Sequence, residues 1–123
     1  MQSENRVNKV IIQKIIGYCN DVEELKNIFG NTFEEFQSKF AFQYSCGMCI
    51  MQIGELISRL PENFKEKHSE VAWIKIKGLR NVYAHDYESI NLEKVWKIFN
   101  ENIPELKENL TQILSEMENQ DEN

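Results

Sequence analysis

Residues 7–30 read VNKVIIQKIIGYCNDVEELKNIFG. Within them Val7, Ile11, Ile15, Tyr18, Val22, Leu25 and Phe29 recur at steps of three and four. That spacing lays apolar side chains along one face of an α-helix. One long helix from about Asn5 to Phe29 is expected, with Gly17 tolerated inside it and Gly30 as its C-terminal stop.

The same period runs through the rest of the chain. Thr32 and Glu35 have capping-box spacing and open a second helical region. It carries Phe33, Phe36, Phe40, Tyr44, Met48, Met51, Leu56 and Leu60, and Pro61 ends it. Pro61 to Ser69 is polar and reads as a loop or a short helical turn. Ala72, Ile76, Leu79 and Tyr83 mark a third helix. Ser89 and Asn91 are candidate caps for a short helix holding Leu92, Val95, Trp96 and Phe99. A last stripe, Ile103, Leu106, Leu110, Ile113, Leu114 and Met117, follows Pro104, a residue the first turn of a helix accepts. No β-alternation, hairpin turn or internal repeat is present. The fold expected is all-α, an antiparallel bundle of four to five main helices. Residues 1–116 should form one domain, and 117–123 an acidic tail that frays into solvent.

Composition narrows the class. With 123 residues, 41% hydrophobic and 28% charged, the chain can bury a core without disulfides or metal. No apolar run is long enough to span a membrane, and no signal-peptide segment follows Met1 to Lys9, so a cytoplasmic protein is expected. Three cysteines, Cys19, Cys46 and Cys49, fit a reducing compartment. The net charge of −6 opposes bulk attraction to nucleic acid. Locally the balance reverses: between Lys65 and Arg80 five cations face only Glu66 and Glu70.

Few residues offer chemistry. Cys46-Gly47-Met48-Cys49 has CxxC spacing, but it lies inside a helix with no second ligand pair, so these thiols read as small apolar side chains. His68 reads as a solvated loop residue. No phosphate-binding glycine loop or HExxH pair exists, and neither metal nor cofactor is expected. The run Arg80-Asn81-Val82-Tyr83-Ala84-His85-Asp86-Tyr87 is different. Arginine holds phosphate in a fixed fork of donors, and histidine, with an unperturbed pKa of about 6.5, takes and returns a proton near neutrality. A phosphodiester beside a ribose 2′-OH needs those two services. Asn81, Asp86, Lys77 and Tyr83 are candidate supporting or phosphate-binding residues. On a continuous helix, however, Arg80 and His85 stand about 140° apart around the axis and roughly 7.5 Å apart along it. Either the helix unwinds near His85 or a second copy supplies the missing group. The same spacing would return Tyr87 to the face of Arg80.

Residues 73–87, WIKIKGLRNVYAHDY, followed by Ile90, Leu92, Val95 and Trp96, closely resemble the HepT-like branch of the HEPN superfamily. Gln52-Ile53-Gly54-Glu55-Leu56 is similar to that family's central helix, and Ile103-Pro104-Glu105-Leu106 to its final one. The family signature of arginine, four residues, histidine, one residue and tyrosine is matched by Arg80, His85 and Tyr87. The resemblance implies a HEPN-like helical bundle that cleaves RNA without metal, is toxic when free, and works as a homodimer. It also implies a partner, a minimal nucleotidyltransferase antitoxin able to attach AMP to the motif tyrosine, here Tyr87. Two other readings stand beside it: a non-catalytic HEPN module that binds nucleotide, RNA or the transferase, and a helical interaction protein in which the run merely closes a helix.

Overall fold

The structure, a computed structural model, describes residues 2–122. Six α-helices follow one another: α1 (Gln2–Phe29), α2 (Phe33–Ser38), α3 (Phe40–Arg59), α4 (Glu62–Lys67), α5 (Trp73–His85) and α6 (Leu92–Glu122). A 3-10 turn at Tyr87–Ser89 joins the last two, and no strand occurs among the described residues. The fold is all-α, a HEPN-like bundle. Helix α1 lies between α6 and α3, and α3 lies between α1 and α5.

Most of the stripe that predicts α1 enters the core, beginning at Ile11, whereas Val7 is exposed and Ile12, outside the stripe, is buried beside it. Ile12, Ile15 and Val22 are fully buried and meet Ile50, Ile53 and Phe42 of α3 and Phe99, Ile103 and Leu110 of α6. Each such side chain removed from water contributes about 1.5–3 kcal/mol. At the α2 end, Phe36 packs edge-on to Phe42 and Phe99 and stacks on Trp96, so three elements converge on one aromatic cluster.

Helix α1 stops where expected. Gly30 takes φ 134°, and a Cβ there would collide with the Glu35 carboxylate. That carboxylate accepts from the Asn31 amide at 3.2 Å, and the Thr32 hydroxyl accepts from the Glu35 amide at 3.1 Å. The cap predicted from Thr32 and Glu35 is therefore formed, with the carboxylate serving the residue before the cap.

Three departures from the sequence reading have physical causes. The region 33–60 is two helices, because the backbone turns extended at Lys39. The buried Gln43 side chain makes that break tolerable: its Nε2 donates to the carbonyls of Phe36 at 2.9 Å and Gln37 at 3.0 Å. Conversely, 92–122 is one helix, with Asn91 capping the amide of Lys94 at 3.1 Å and Pro104 inside it. An interior proline costs about 3 kcal/mol. Here it is exposed, and Val95, Phe99, Ile103, Leu106, Leu110, Ile113 and Met117 stay buried in register across it. Lys26 steadies the same turn by donating to the Phe99 carbonyl and to Asn100 Oδ1, each at 3.0 Å. The helix also continues to Glu122, through the segment expected to fray, with Met117 buried. Finally, His68 is not freely solvated: its ring packs on Phe64, and Nδ1 lies 3.5 Å from Glu70.

Candidate active site

The candidate residues lie on α5, which runs antiparallel along α3. Trp73 anchors its start: the indole N–H donates to the carbonyls of Lys65 at 3.1 Å and His68 at 3.0 Å, tying α4 to α5. Beyond it, Ile76, Leu79 and Tyr83 face inward.

Two glycines of α3, two turns apart, set the closeness of this crossing. A Cβ on Gly47 would sit 2.4 Å from the Tyr83 ring, and one on Gly54 would sit 2.4 Å from Cγ of Arg80. With hydrogen in both places, the ring and the guanidinium stem press against the α3 backbone. Arg80 then emerges beside Glu55, the next residue on α3, and donates to its carboxylate through Nη2. Nη1 donates to Asn81 Oδ1 at 3.1 Å. Nε is buried with no hydrogen-bond partner among the described residues. An orphaned buried donor is uncommon in native proteins.

Helix α5 stays regular through His85, so the unwinding alternative does not occur. His85 is exposed at the last helical position, and Asp86 leaves the helix at φ −149°. Asn81 stands one turn before His85, about 40° away around the axis. By taking Nη1, Asn81 therefore draws part of the guanidinium toward the face that carries the imidazole. Lys77 and Asp86 are exposed flanking charges.

Two candidates take different places from those expected. Tyr83 is buried, its hydroxyl 3.4 Å from the Gln43 carbonyl, and burial drives its phenol well above the ordinary tyrosine pKa. Its ring packs against Gly47 of α3 and does not face solvent. Tyr87 lies beyond the helix end, so the helical spacing to Arg80 is broken. Its ring packs on Tyr83 and Tyr44, with centroids at 5.5 and 5.3 Å. Its hydroxyl donates to Gln43 Oε1 at 2.9 Å, and burial raises its pKa. Gln43 thus joins the α2–α3 break to the motif tyrosine. Sequence reading gave no role to Glu55 or Gln43; a lone acid and a lone amide on helices carry no spacing signal.

The CxxC cysteines are packing residues. Cys46 and Cys49 are buried free thiols, pushed up to about 12 and about 11 by burial. Among the described residues no group of three or more His, Cys, Asp or Glu is gathered as a metal site, and no helix is long and apolar enough to cross a membrane.

Comparison with known proteins shows the family. The family model described as Ribonuclease HepT-like matches residues 18–113. Putative RNase MJ1216 of Methanocaldococcus jannaschii is 28% identical over 94% of this chain and 93% of its own length. Putative RNase TTE0752 of Caldanaerobacter subterraneus is 32% identical over 73% of this chain and 80% of its own. Probable ribonuclease HepT of Thermococcus cleftensis is 31% identical over 61% and 68% respectively. No solved structure matches. The matched segment runs from within α1 well into α6 and contains the whole α3–α5 seam, and on this evidence the chain belongs to the HepT-like ribonuclease family.

Proposed function

We propose that the protein is a metal-independent endoribonuclease, the toxin of a HEPN/MNT toxin–antitoxin pair, with Arg80 and His85 as its catalytic residues. The observation that carries this is the placement of Arg80: two helices close over its stem, Glu55 fixes one arm, and Asn81 turns the other toward His85. His85 takes the proton of a ribose 2′-OH, and the 2′-oxygen attacks the adjacent phosphorus. The bond to the 5′-oxygen breaks, leaving a 2′,3′-cyclic phosphate and a 5′-hydroxyl that gains a proton. Arg80 stabilises the charge gathered on the phosphoryl oxygens.

A regular α5 leaves the two side chains diverging within one chain, which favours a two-fold dimer that pairs Arg80 of one copy with His85 of the other. The outer face of α5 suits such a contact. Ile74 there is 88% exposed, and a Cβ on Gly78 would meet nothing. Both share the side of α5 that carries Asn81 and His85. The antitoxin in this reading is a minimal nucleotidyltransferase. It moves AMP from ATP to the Tyr87 oxygen with loss of pyrophosphate, setting a bulky anion close to the site.

The test is incubation of the purified protein with RNA in EDTA, beside Arg80→Ala and His85→Ala, with light scattering for mass. Cleavage by a dimer, lost in both variants, supports the reading. Cleavage retained in both variants, or absent without added divalent metal, overturns it. RNA binding without cleavage would instead identify a non-catalytic module.

A further inference from the structure

Beside the Arg80–Glu55 pair, a groove of about 470 Å³ lies between α1 and α3. Its lining includes Lys14, Gly17, Tyr18 and Asp21 from α1, and Glu55 and Arg59 from α3. Glu55 is common to both places: it borders the groove and holds Arg80. A strand with one phosphate at Arg80 need only pass Glu55 to enter the groove.

The chemistry of the lining suits a nucleotide. Lys14, Tyr18 and Arg59 make no hydrogen bond or ion pair among the described residues, so two cations and a phenol are uncommitted. Tyr18 is half-buried and packed on the core, which holds its ring as a fixed wall. A base can stack on such a ring, a contact worth about 1–3 kcal/mol and tolerant of sequence. Asp21 supplies an acceptor for a ribose hydroxyl or an exocyclic amine. Gly17 leaves the floor open: a Cβ there would meet nothing within 4 Å. Since Glu55 is neutralised by Arg80, the remaining lining has Lys14 and Arg59 against Asp21, a local positive balance in an acidic protein.

We infer that this groove binds the ribonucleotide adjoining the phosphate held at Arg80, with Tyr18 stacking its base and Lys14 and Arg59 taking its phosphate. The inference rests on the ribonuclease reading above, and it explains how a chain of net charge −6 can hold an anionic strand.

The experiment measures anisotropy of a fluorescein-labelled single-stranded RNA 12-mer in a His85→Ala background, so that binding is read without cleavage. Gly17→Leu fills the groove from a position with no neighbour to disturb, and circular dichroism checks that it folds. Lys14→Ala with Arg59→Ala removes the cations without filling anything. Each should raise Kd by on the order of tenfold. The double variant should also flatten the dependence of log Kd on log salt by about 0.7, the share of one neutralised phosphate on a single strand. Unchanged Kd and salt slope in both would overturn the inference, as would a Gly17→Leu effect confined to oligomeric mass. Were wild type to cut no RNA while both groove variants still weakened binding, the ribonuclease reading would fail and the groove would stand.

Discussion

Helix α3 is packed on two different terms. Toward α1 and α6 it presents Phe42, Ile50 and Ile53, all fully buried among apolar side chains. Toward α5 it presents Gly47 and Gly54, and what fills the space is the Tyr83 ring and the stem of Arg80. The first side gains stability from apolar area. The second gives up area to bring one charged side chain against backbone, between Glu55 and Asn81. A helix can therefore hold the fold together on one side and position a charged side chain on the other, and substitutions on the two sides should fail differently.

The largest effect belongs to the core side. Phe36 is fully buried at the meeting of α2, α3 and α6. Phe36→Ala should lower stability by about 3–5 kcal/mol, read from urea unfolding. If it cost no more than a surface change, the aromatic cluster would not be the anchor of the α2 end.

Next comes the seam. Gly54→Ala places a Cβ 2.4 and 2.6 Å from Cγ and Cβ of Arg80. The latter atom is fixed to the α5 backbone, so α5 must move. Overpacking of this kind costs about 1–3 kcal/mol. A displacement near 1 Å at a catalytic group can lower the rate by about 10²-fold. Cleavage should thus fall far more than stability, the reverse of Phe36→Ala. Equal losses in both assays would erase the distinction between the two sides.

The two sides were also unequally legible in the sequence. Burial imposes a period, so steps of three and four forecast α1, and Thr32 with Glu35 forecast the start of α2. Along α3 the stripe read from the sequence took in Phe40, Tyr44 and Met48, which are exposed, and missed the buried Phe42, Ile50 and Ile53. The helix boundaries that went astray were decided by side-chain hydrogen bonds that leave no period in the sequence. The break at Lys39 depends on the Gln43 amide reaching back to Phe36 and Gln37, and the continuity at Pro104 on Lys26, a residue from another helix. On the seam side, Arg80 and His85 stood out through their motif, whereas Glu55 acquires meaning only once Gly54 lets α5 approach. Tyr87 was displaced from its expected face because the helix ends at His85.

A smaller effect should follow at Tyr87. Tyr87→Phe keeps the ring between Tyr44 and Tyr83 but leaves Gln43 Oε1, a buried acceptor, without its donor. The cost of such an orphan is about 1–3 kcal/mol. Because Gln43 also ties down the end of α2, hydrogen exchange should quicken around residues 36–43 more than along α6. Uniform exchange would mean that Gln43 does not link the tyrosine to the break.

The smallest effect concerns alkali, and it is absent at neutral pH. Cys19 and Cys46 are pushed up to about 12 and Cys49 to about 11, in each case chiefly by burial. In the unfolded chain these thiols ionise near their ordinary value of 9.0. Below pH 9 they are neutral in both states and stability is untouched. Above it the unfolded chain loses protons that the folded chain keeps, so stability falls as pH rises from about 9 toward 12. Tyr83, also raised by burial, adds to the fall above its ordinary value of 10.0. Lys26 acts in the opposite sense, since burial lowers its pKa and favours the neutral amine in the fold. The net expectation is a urea midpoint that is level through neutrality and declines above pH 9. Replacing the buried thiols by alanine should flatten that decline while lowering the plateau, because the small cavities remain at every pH. Iodoacetamide gives an independent reading: at pH 8 all three thiols should react at the pace of unfolding. Rapid alkylation of Cys46 or Cys49 in the folded protein would show that the α3 core around Gly47 is open, and that its two sides differ less than their packing indicates.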